Sequence, residues 1–237
     1  MASDGVHRDV YTESGPCGIL NMDAKRSLRR PLPVLITGVA LGFGSLLYLT
    51  YRRDPVRASR LERIRPLAGD QLIPEPIASL THAVTIRCHR QELWPWLVQM
   101  GAGRAGWYSY DFIDNGGQPS AKELLPQFQS IAVGAVLPAL PGATEGFIVV
   151  AYDPEHFLML GWPSQGEAYM STWAFVPDEV GSNHTRLIVR GRAGPGYHFH
   201  NLPLWLLKLT APLGHYIMQR RQLLEIARRA ERSHRNI

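Results

Sequence analysis

A carboxylate among aromatic side chains is the first combination in this sequence that could do chemistry. Trp107, Tyr108, Tyr110 and Asp111 follow one another closely within residues 94–115, which read WPWLVQMGAGRAGWYSYDFIDN. Burial beside aromatic rings raises the pKa of a carboxyl group toward neutrality, where it can exchange protons. Tyr110 and Asp111 are therefore the candidates for a general acid or base. The alternative for Asp111 is an exposed side chain that caps a turn or pairs with an arginine.

The same segment has the composition of a pocket wall. Its tryptophans and tyrosines supply apolar surface with a polar handle, and its glycines permit tight turns. Two more large aromatic residues stand in strand-like stretches, where ordinary core packing is the alternative to a ligand contact. Asp114 is interpreted instead as exposed, capping a turn or pairing with Arg104. The predicted ligand contacts are Trp107, Tyr108, Tyr110, Asp111, Trp162 and Trp173.

Two other motifs resemble binding sites but lack the required context. Gly101 to Gly106 spells GxGxxG, a fingerprint that binds dinucleotides only between a strand and a helix of a βαβ unit. Here a Trp-Pro-Trp helix candidate precedes it, so a flexible turn is the preferred interpretation. His198 and His200 form HxH without an acidic residue at a metal-ligand spacing. No cofactor and no metal are predicted.

The elements that must position these residues follow from the apolar periodicity. Leu80 to Cys88 is predicted as a strand and Arg90 to Met100 as a short helix. Leu213 to Arg232 repeats apolar residues at helical spacing and is the one element long enough to cover a sheet. Five further strand-like stretches are separated by Pro, Gly and Asp turns, which predicts an antiparallel meander: 133–138, 145–152, 156–162, 169–176 and 185–192.

Arginines alternate with apolar residues on the last predicted strand. Arg186, Arg190 and Arg192 are expected to face solvent, because Leu187 and Val189 require the core side. If the register were reversed, Arg190 would be a buried cation and a candidate anion site.

Residues 31–51 form a run of 21 residues without charge. A helix of that length spans about 31 Å, close to the roughly 30 Å of a hydrocarbon core. A single transmembrane helix is predicted, with a cleaved signal peptide or a buried helix as alternatives. Basic residues are more numerous after the run, which favours the cytoplasmic side for the C-terminal domain.

The rest of the chain divides around that run. Residues 1–30 are predicted to be a disordered tail, 52–78 a proline-containing linker and 79–237 the folded domain. The net charge is +5, with basic residues clustered at 25–30, 52–65 and 220–235, and the first two clusters flank the apolar run. No nucleic-acid motif accompanies them, so no nucleic-acid partner is predicted. Residues 202–209, LPLWLLKL, could be a lid, a membrane-surface contact or the start of the last helix.

The order of elements and two segments resemble the SRPBCC superfamily, also called START-like or Bet v 1-like. The segments are LWPWLVQMGAGRAGWYSYDFIDN (93–115) and LLPQFQSIAVGAVLP (124–138), with a weaker match in HYIMQRRQLLEIARRAE (215–231). The likeness is greatest to bacterial polyketide cyclase/dehydrase and lipid-transport proteins. It implies an α+β helix-grip fold, in which a curved antiparallel sheet of about six or seven strands wraps around the C-terminal helix.

Three functions remain open at this point. The first is a membrane-anchored domain that binds a hydrophobic small molecule or lipid in an internal cavity. The second is a cyclase or aromatase-type enzyme that acts in the same cavity, with Tyr110 and Asp111 transferring protons. The third is a protein-interaction module with a filled interior and an exposed apolar patch. The sequence predicts no oligomeric state.

Overall fold

The structure is a computed structural model that describes residues 53–164, 169–197 and 203–235, together with Thr37 and Ser45. Six strands form one antiparallel sheet in the order β1-β6-β5-β4-β3-β2. The strands are β1 Ala78–Ile86, β2 Val136–Pro138, β3 Gly146–Asp153, β4 Phe157–Trp162, β5 Ser171–Glu179 and β6 Thr185–Ala193. The α-helices of the segment 53–235 are α1 Arg60–Ile64, α2 Arg90–Val98, α3 Asp111–Asp114 and α4 Leu204–Arg235. Short 3-10 helices lie at Asp70–Leu72 and Pro126–Phe128.

Consecutive strands β2 to β6 form the meander that the turn residues predict, and β1 is the edge strand beside β6. In that last pair Val84 lies opposite Leu187, and Ala83 lies opposite Ile188. Because successive side chains alternate between faces, Leu187 and Val189 point to the inner face. The predicted α+β class, with an antiparallel sheet and a long C-terminal helix, is confirmed and fits a helix-grip fold.

The core lies between the inner face of the sheet, α2 and the C-terminal half of α4. Leu223 and Ile226 of α4 are fully buried, as are Leu93 and Trp96 of α2. Each such side chain contributes on the order of 1.5–3 kcal/mol when it leaves water. Cys88 joins this core as a free, buried thiol. Burial, followed by the charges of two nearby glutamates, raises the pKa of Cys88 to about 12.

Residues 53–77, which we call the strap, cross the outer face of the sheet. The sequence predicts an extended linker over 52–78, whereas Ala58 and Leu67 of the strap are buried against Ala83 and Ile188. The compact part of the chain accordingly includes the strap. Four apolar residues of the strap are buried: Val56, Ala58, Leu67 and Ile73.

Arginines of β6 fix the strap to the sheet. The guanidinium of Arg190 lies 2.5 Å from a carboxylate oxygen of Asp70 and donates to the carbonyl oxygens of residues 62, 63 and 65. Arg192 lies 2.9 Å from the same carboxylate, and Arg186 lies 2.7 Å from Glu62. Although burial raises the pKa of Glu62, the bonds from Arg186 and Ser59 lower it to about 2.

These contacts correct the expectation that the arginines face solvent. The predicted alternation is right, but the strap covers the outer face. Arg190 is consequently only 4% exposed without any reversal of register. Its charge and its donors are satisfied by Asp70 and by backbone carbonyls, so it is a structural cation rather than an anion site.

The C-terminal helix is longer than the 213–232 that the sequence predicts. It begins at Leu204 and continues through Pro212, so residues 204–209 are its first turns. The predicted tail 1–30, most of the predicted membrane segment 31–51, and His198 and His200 lie outside the described residues. Within the described segments, every helix is too short or too polar to cross a bilayer.

Candidate functional site

A cavity of about 570 Å³ lies between the inner face of the sheet and the N-terminal half of α4. β1, β5 and β6 supply one side, and α4 supplies the other through residues from Lys208 to Gln222. The lining is mostly apolar. The interior of the described domain is therefore open, unlike the filled interior expected of a pure interaction module.

Three aromatic rings form one wall of the cavity. Trp107 and Trp173 stack with their centroids 5.7 Å apart, and Phe147 lies 5.6 Å and 5.3 Å from them. Offset and edge-on rings of this kind attract one another beyond the area they bury. Trp162 packs edge-on against Phe147 at 5.2 Å, behind this wall. Of the predicted ligand contacts, Trp107 and Trp173 line the cavity.

Two buried glutamines of α4 hold both tryptophans. The indole nitrogen of Trp173 donates to Gln219 Oε1 at 2.9 Å. Gln219 Nε2 donates to Gln222 Oε1 at 2.8 Å, and Gln222 Nε2 donates to the carbonyl of Trp107 at 3.0 Å. The chain of bonds fixes the glutamine amides and joins α4 to both tryptophans of the wall.

Asp114 brings a carboxylate to the same cavity. It is 8% exposed, and its Oδ1 has no hydrogen-bond partner among the described residues. Burial, followed by the charge of Asp111, raises the pKa of Asp114 to about 6. The expectation that Asp114 is exposed is wrong, because its helical turn is held against α4. There the hydroxyl of Ser109 donates to the carbonyl of Met218 at 3.1 Å.

Asp111 and Tyr110 lie outside the cavity. The Asp111 carboxylate accepts bonds from both the backbone N–H and the hydroxyl of Ser120, which ties two loops together. The Tyr110 ring lies under the guanidinium of Arg221, 4.9 Å away, beside a surface groove. Neither residue of the predicted acid–base pair lies in the apolar cavity. Asp111 is bonded to Ser120, and Tyr110 lies at the surface.

Tyr108 belongs to the core. Its hydroxyl accepts a bond from Gln99 Nε2 at 2.8 Å, and Arg229 lies 4.8 Å above its ring. Burial raises its pKa far above the usual range, so the phenol stays protonated. Its backbone has a φ of +60°, which an ordinary residue adopts only when its surroundings enforce it.

His215 is a cavity residue that the sequence prediction did not include. Burial, followed by the nearby ring of His82, lowers its pKa to about 4, so it is neutral at pH 7. The two imidazole centroids are 5.7 Å apart. Gly191 leaves the room for this ring, since a Cβ there would lie 3.2 Å from His215 Cε1. The signal in the sequence was the helical spacing of His215, Gln219 and Gln222.

The GxGxxG sequence forms a closed turn between α2 and α3. Gly101 and Gly106 pair through their backbones, and both have positive φ. A Cβ on Gly106 would lie 2.3 Å from the hydroxyl oxygen of Ser120, so only glycine fits. Arg104 donates to the carbonyls of Val98 and of two other residues around this turn. Over the described residues, no three His, Cys, Asp or Glu side chains come together as metal ligands.

No family model and no curated protein matches the sequence. Among solved structures, the chain is similar to protein MLL2253 from Mesorhizobium loti, with 16% identity and a TM-score of 0.38 over 66% of this chain and 98% of that chain. The self-sacrificing resistance protein CalC from Micromonospora echinospora gives 14% identity and a TM-score of 0.36, over 65% of this chain and 95% of that chain. Norcoclaurine synthase from Thalictrum flavum gives 12% identity and a TM-score of 0.34, over 73% and 95%.

The three likenesses have TM-scores of 0.34 to 0.38. At such low TM-scores the likeness carries no conclusion about a ligand or a reaction.

Proposed function

We propose that the domain binds an apolar small molecule or lipid between the sheet and α4. The observation that carries the proposal is the cavity of about 570 Å³ with its wall of Trp107, Phe147 and Trp173. Ligand pockets typically measure about 300–1,000 Å³ and are mainly apolar, with a few polar groups. Burial of about 300 Å² of apolar ligand surface would contribute on the order of 7 kcal/mol, before the cost of losing translational freedom.

The polar groups of the cavity favour a ligand with one hydrogen-bond donor. Asp114 lines the cavity, and a buried carboxylate is stabilised when a hydroxyl or ammonium group of a ligand donates to it. The indole N–H of Trp173 is already bonded to Gln219. An apolar body with a hydroxyl or amine at the Asp114 end is therefore the ligand class that fits best.

A fluorescence titration with Nile red, an uncharged apolar dye, tests binding. Ala211 lines the cavity from α4, so Ala211→Trp would fill it with an indole. Thr210→Trp adds the same indole at the neighbouring, exposed position and is the matched control. We expect Ala211→Trp to weaken dye binding by at least about tenfold, or 1.4 kcal/mol, and Thr210→Trp to leave it unchanged. Equal affinity in both variants would place the dye elsewhere and remove the proposal.

A proton-transfer enzyme is the second candidate function. Its acid–base group would be Asp114, which lines the cavity, rather than Tyr110 or Asp111, which lie outside it. A carboxyl group in an apolar cavity with a pKa of about 6 is a base at neutral pH that retains reactivity. The probe 5-nitrobenzisoxazole reports such a base: removal of its C–H proton breaks the N–O bond and releases a coloured cyanophenolate. The rate should rise with pH around 6 and disappear in Asp114→Asn. A rate equal to the uncatalysed background in the wild type would exclude Asp114 as a base.

Attachment to a membrane through residues 31–51 is also proposed, on the support of the uncharged run alone. The full chain should stay in the membrane pellet after alkaline carbonate extraction. Replacing Leu41 and Leu46 with arginine should release it, because each charge at the centre of a spanning helix costs about 2.5–3.5 kcal/mol. Release of the unaltered chain by carbonate would contradict the anchor. Protease protection in sealed vesicles would then test the cytoplasmic orientation.

A further inference from the structure

The outer face of α4 carries a row of exposed apolar side chains. Trp205, Leu209, Leu213 and Ile217 are 68%, 69%, 61% and 44% exposed. Their spacing of four residues places them along one side of the helix, one turn after another. Four large apolar residues in contiguous turns form a patch rather than the scattered single residues found on ordinary surfaces. We call these four residues the outer stripe.

The opposite side of the same turns faces the cavity. Ala211, His215 and Met218 line the cavity, whereas the outer stripe points away from it. The outer stripe therefore does not pack in the core, because α4 buries a different apolar face there. A helix that is apolar on both sides is expected where a second apolar medium lies outside the protein.

The charged residues of α4 along the outer stripe are basic, and the nearest acidic side chain of another element is Asp54, which is paired with Arg220. No aspartate or glutamate occurs in the sequence between Glu179 and Glu225. Lys208 is exposed at the border between the stripe and the cavity, and Arg221 is exposed one turn after Ile217. Apolar residues with a tryptophan, bordered by lysine and arginine, are the composition of helices that lie in the interface of an anionic bilayer.

The strap is fixed to α4 beside Ile217, the last residue of the outer stripe. The Asp54 carboxylate accepts bonds from the hydroxyl of Tyr216 and from Nε of Arg220, the latter at 3.2 Å. Its side chain is only 5% exposed, so this junction is fixed. Arg220 is therefore paired within the domain, and Lys208 and Arg221 are the exposed basic residues near the outer stripe.

We propose that the outer stripe of α4 lies in the interface of an anionic lipid bilayer. Trp205 and the three aliphatic residues enter the boundary between headgroups and acyl chains, and Lys208 and Arg221 face the lipid phosphates. The helix that rests on the bilayer is then also a wall of the cavity. The proposal is independent of which ligand the cavity binds.

The full chain, reconstituted into vesicles of phosphatidylcholine with a minority of phosphatidylglycerol, provides the test. Lipids brominated in the upper part of the acyl chain quench tryptophans at that depth. The difference between the wild type and Trp205→Phe isolates the signal of Trp205 from the other tryptophans. We expect bromolipid to quench this signal and Leu209→Glu/Leu213→Glu to abolish the quenching.

A matched control replaces Leu61, which is 74% exposed on α1 across the sheet from α4. Leu61→Glu should leave the quenching unchanged. The quenching should also decrease in vesicles of phosphatidylcholine alone, because the basic residues then lose their partners.

Two outcomes would overturn the proposal. The first is a Trp205 signal that bromolipid does not quench. The second is a dimer that Leu209→Glu/Leu213→Glu dissociates, since the outer stripe would then be covered by a second copy of this chain. Nile red binding by the same variant separates this result from a failure of the cavity: retained dye affinity shows that the domain is folded and the cavity intact.

Discussion

Two carboxylates three residues apart, those of Asp111 and Asp114, lie in different environments in this domain. The Asp111 carboxylate accepts hydrogen bonds from Ser120 outside the cavity, and Asp114 lines the cavity. Both lie on the same short helical turn, so local spacing could not show which of them turns inward. The orientation depends on the bond from Ser109 to Met218, 109 residues away in sequence. The aromatic wall was easier to predict, because large rings seek burial wherever the fold provides it.

Ionisation of Asp114 should be visible in the stability of the protein. Its pKa rises from 3.8 in the unfolded chain to about 6 in the fold, so the folded state binds the proton more tightly between these values. The free energy of unfolding therefore falls as pH rises from 4 to 6. Asp114→Asn should lack this decrease, and we expect it to gain about 1–3 kcal/mol relative to the wild type between pH 4 and pH 7. Urea unfolding at each pH measures the difference; parallel curves would contradict the assignment.

His215 should show the reverse dependence. Its pKa falls from 6.5 in the unfolded chain to about 4 in the fold, so the unfolded state binds more protons in that window. Wild-type stability is then lost as pH decreases from 6.5 toward 4, and His215→Leu should lose about 1–3 kcal/mol less over that range. His156→Leu, at an exposed turn, is the control for losing any histidine. Identical pH profiles for wild type and His215→Leu would show that His215 is not buried as described.

At the scale of elements, the strap changes how the sheet is covered. A sheet with one apolar and one polar face can leave the polar face in water. Here β6 places three arginines on the outer face, and the strap supplies their acidic partners and carbonyl oxygens. Removing one partner of a buried ion pair is costly, because the remaining polar groups stay out of water without a partner.

Arg190→Met should therefore destabilise the domain by about 3–5 kcal/mol, since three strap carbonyls lose their donor. Asp178→Asn removes the half-exposed pair between Asp178 and Arg65 and should cost less than about 1 kcal/mol. Urea unfolding gives both values, and limited proteolysis should cut the strap first in Arg190→Met. If both substitutions cost the same small amount, the strap is not held by Arg190.

At the scale of the whole molecule, the sequence predicted the features that depend on the periodicity of apolar residues and on the order of the elements. Alternating strands, turn residues and one amphipathic helix sufficed for the sheet and for α4, because each of these signals is local. The sequence predicted a linker where the structure has the strap, because the proline pattern is local. The contact of Asp70 with Arg190, which holds the strap, joins residues 120 positions apart. The extra turns at the start of α4 were also uncertain, since Pro212 normally ends or kinks a helix.

Because Cys88 is buried, the rate at which a reagent labels its thiol reports how often the core opens. It has no solvent exposure, its carbonyl accepts the hydroxyl of Thr185 at 2.8 Å, and a pKa of about 12 keeps it in the unreactive thiol form. In a Cys17→Ser chain, a disulfide reagent at pH 8 can reach Cys88 only during a transient opening. Labelling should be many times slower than in urea and should accelerate in Arg190→Met. Equally fast labelling with and without urea would mean that the junction of β1 and α2 is open in the native state.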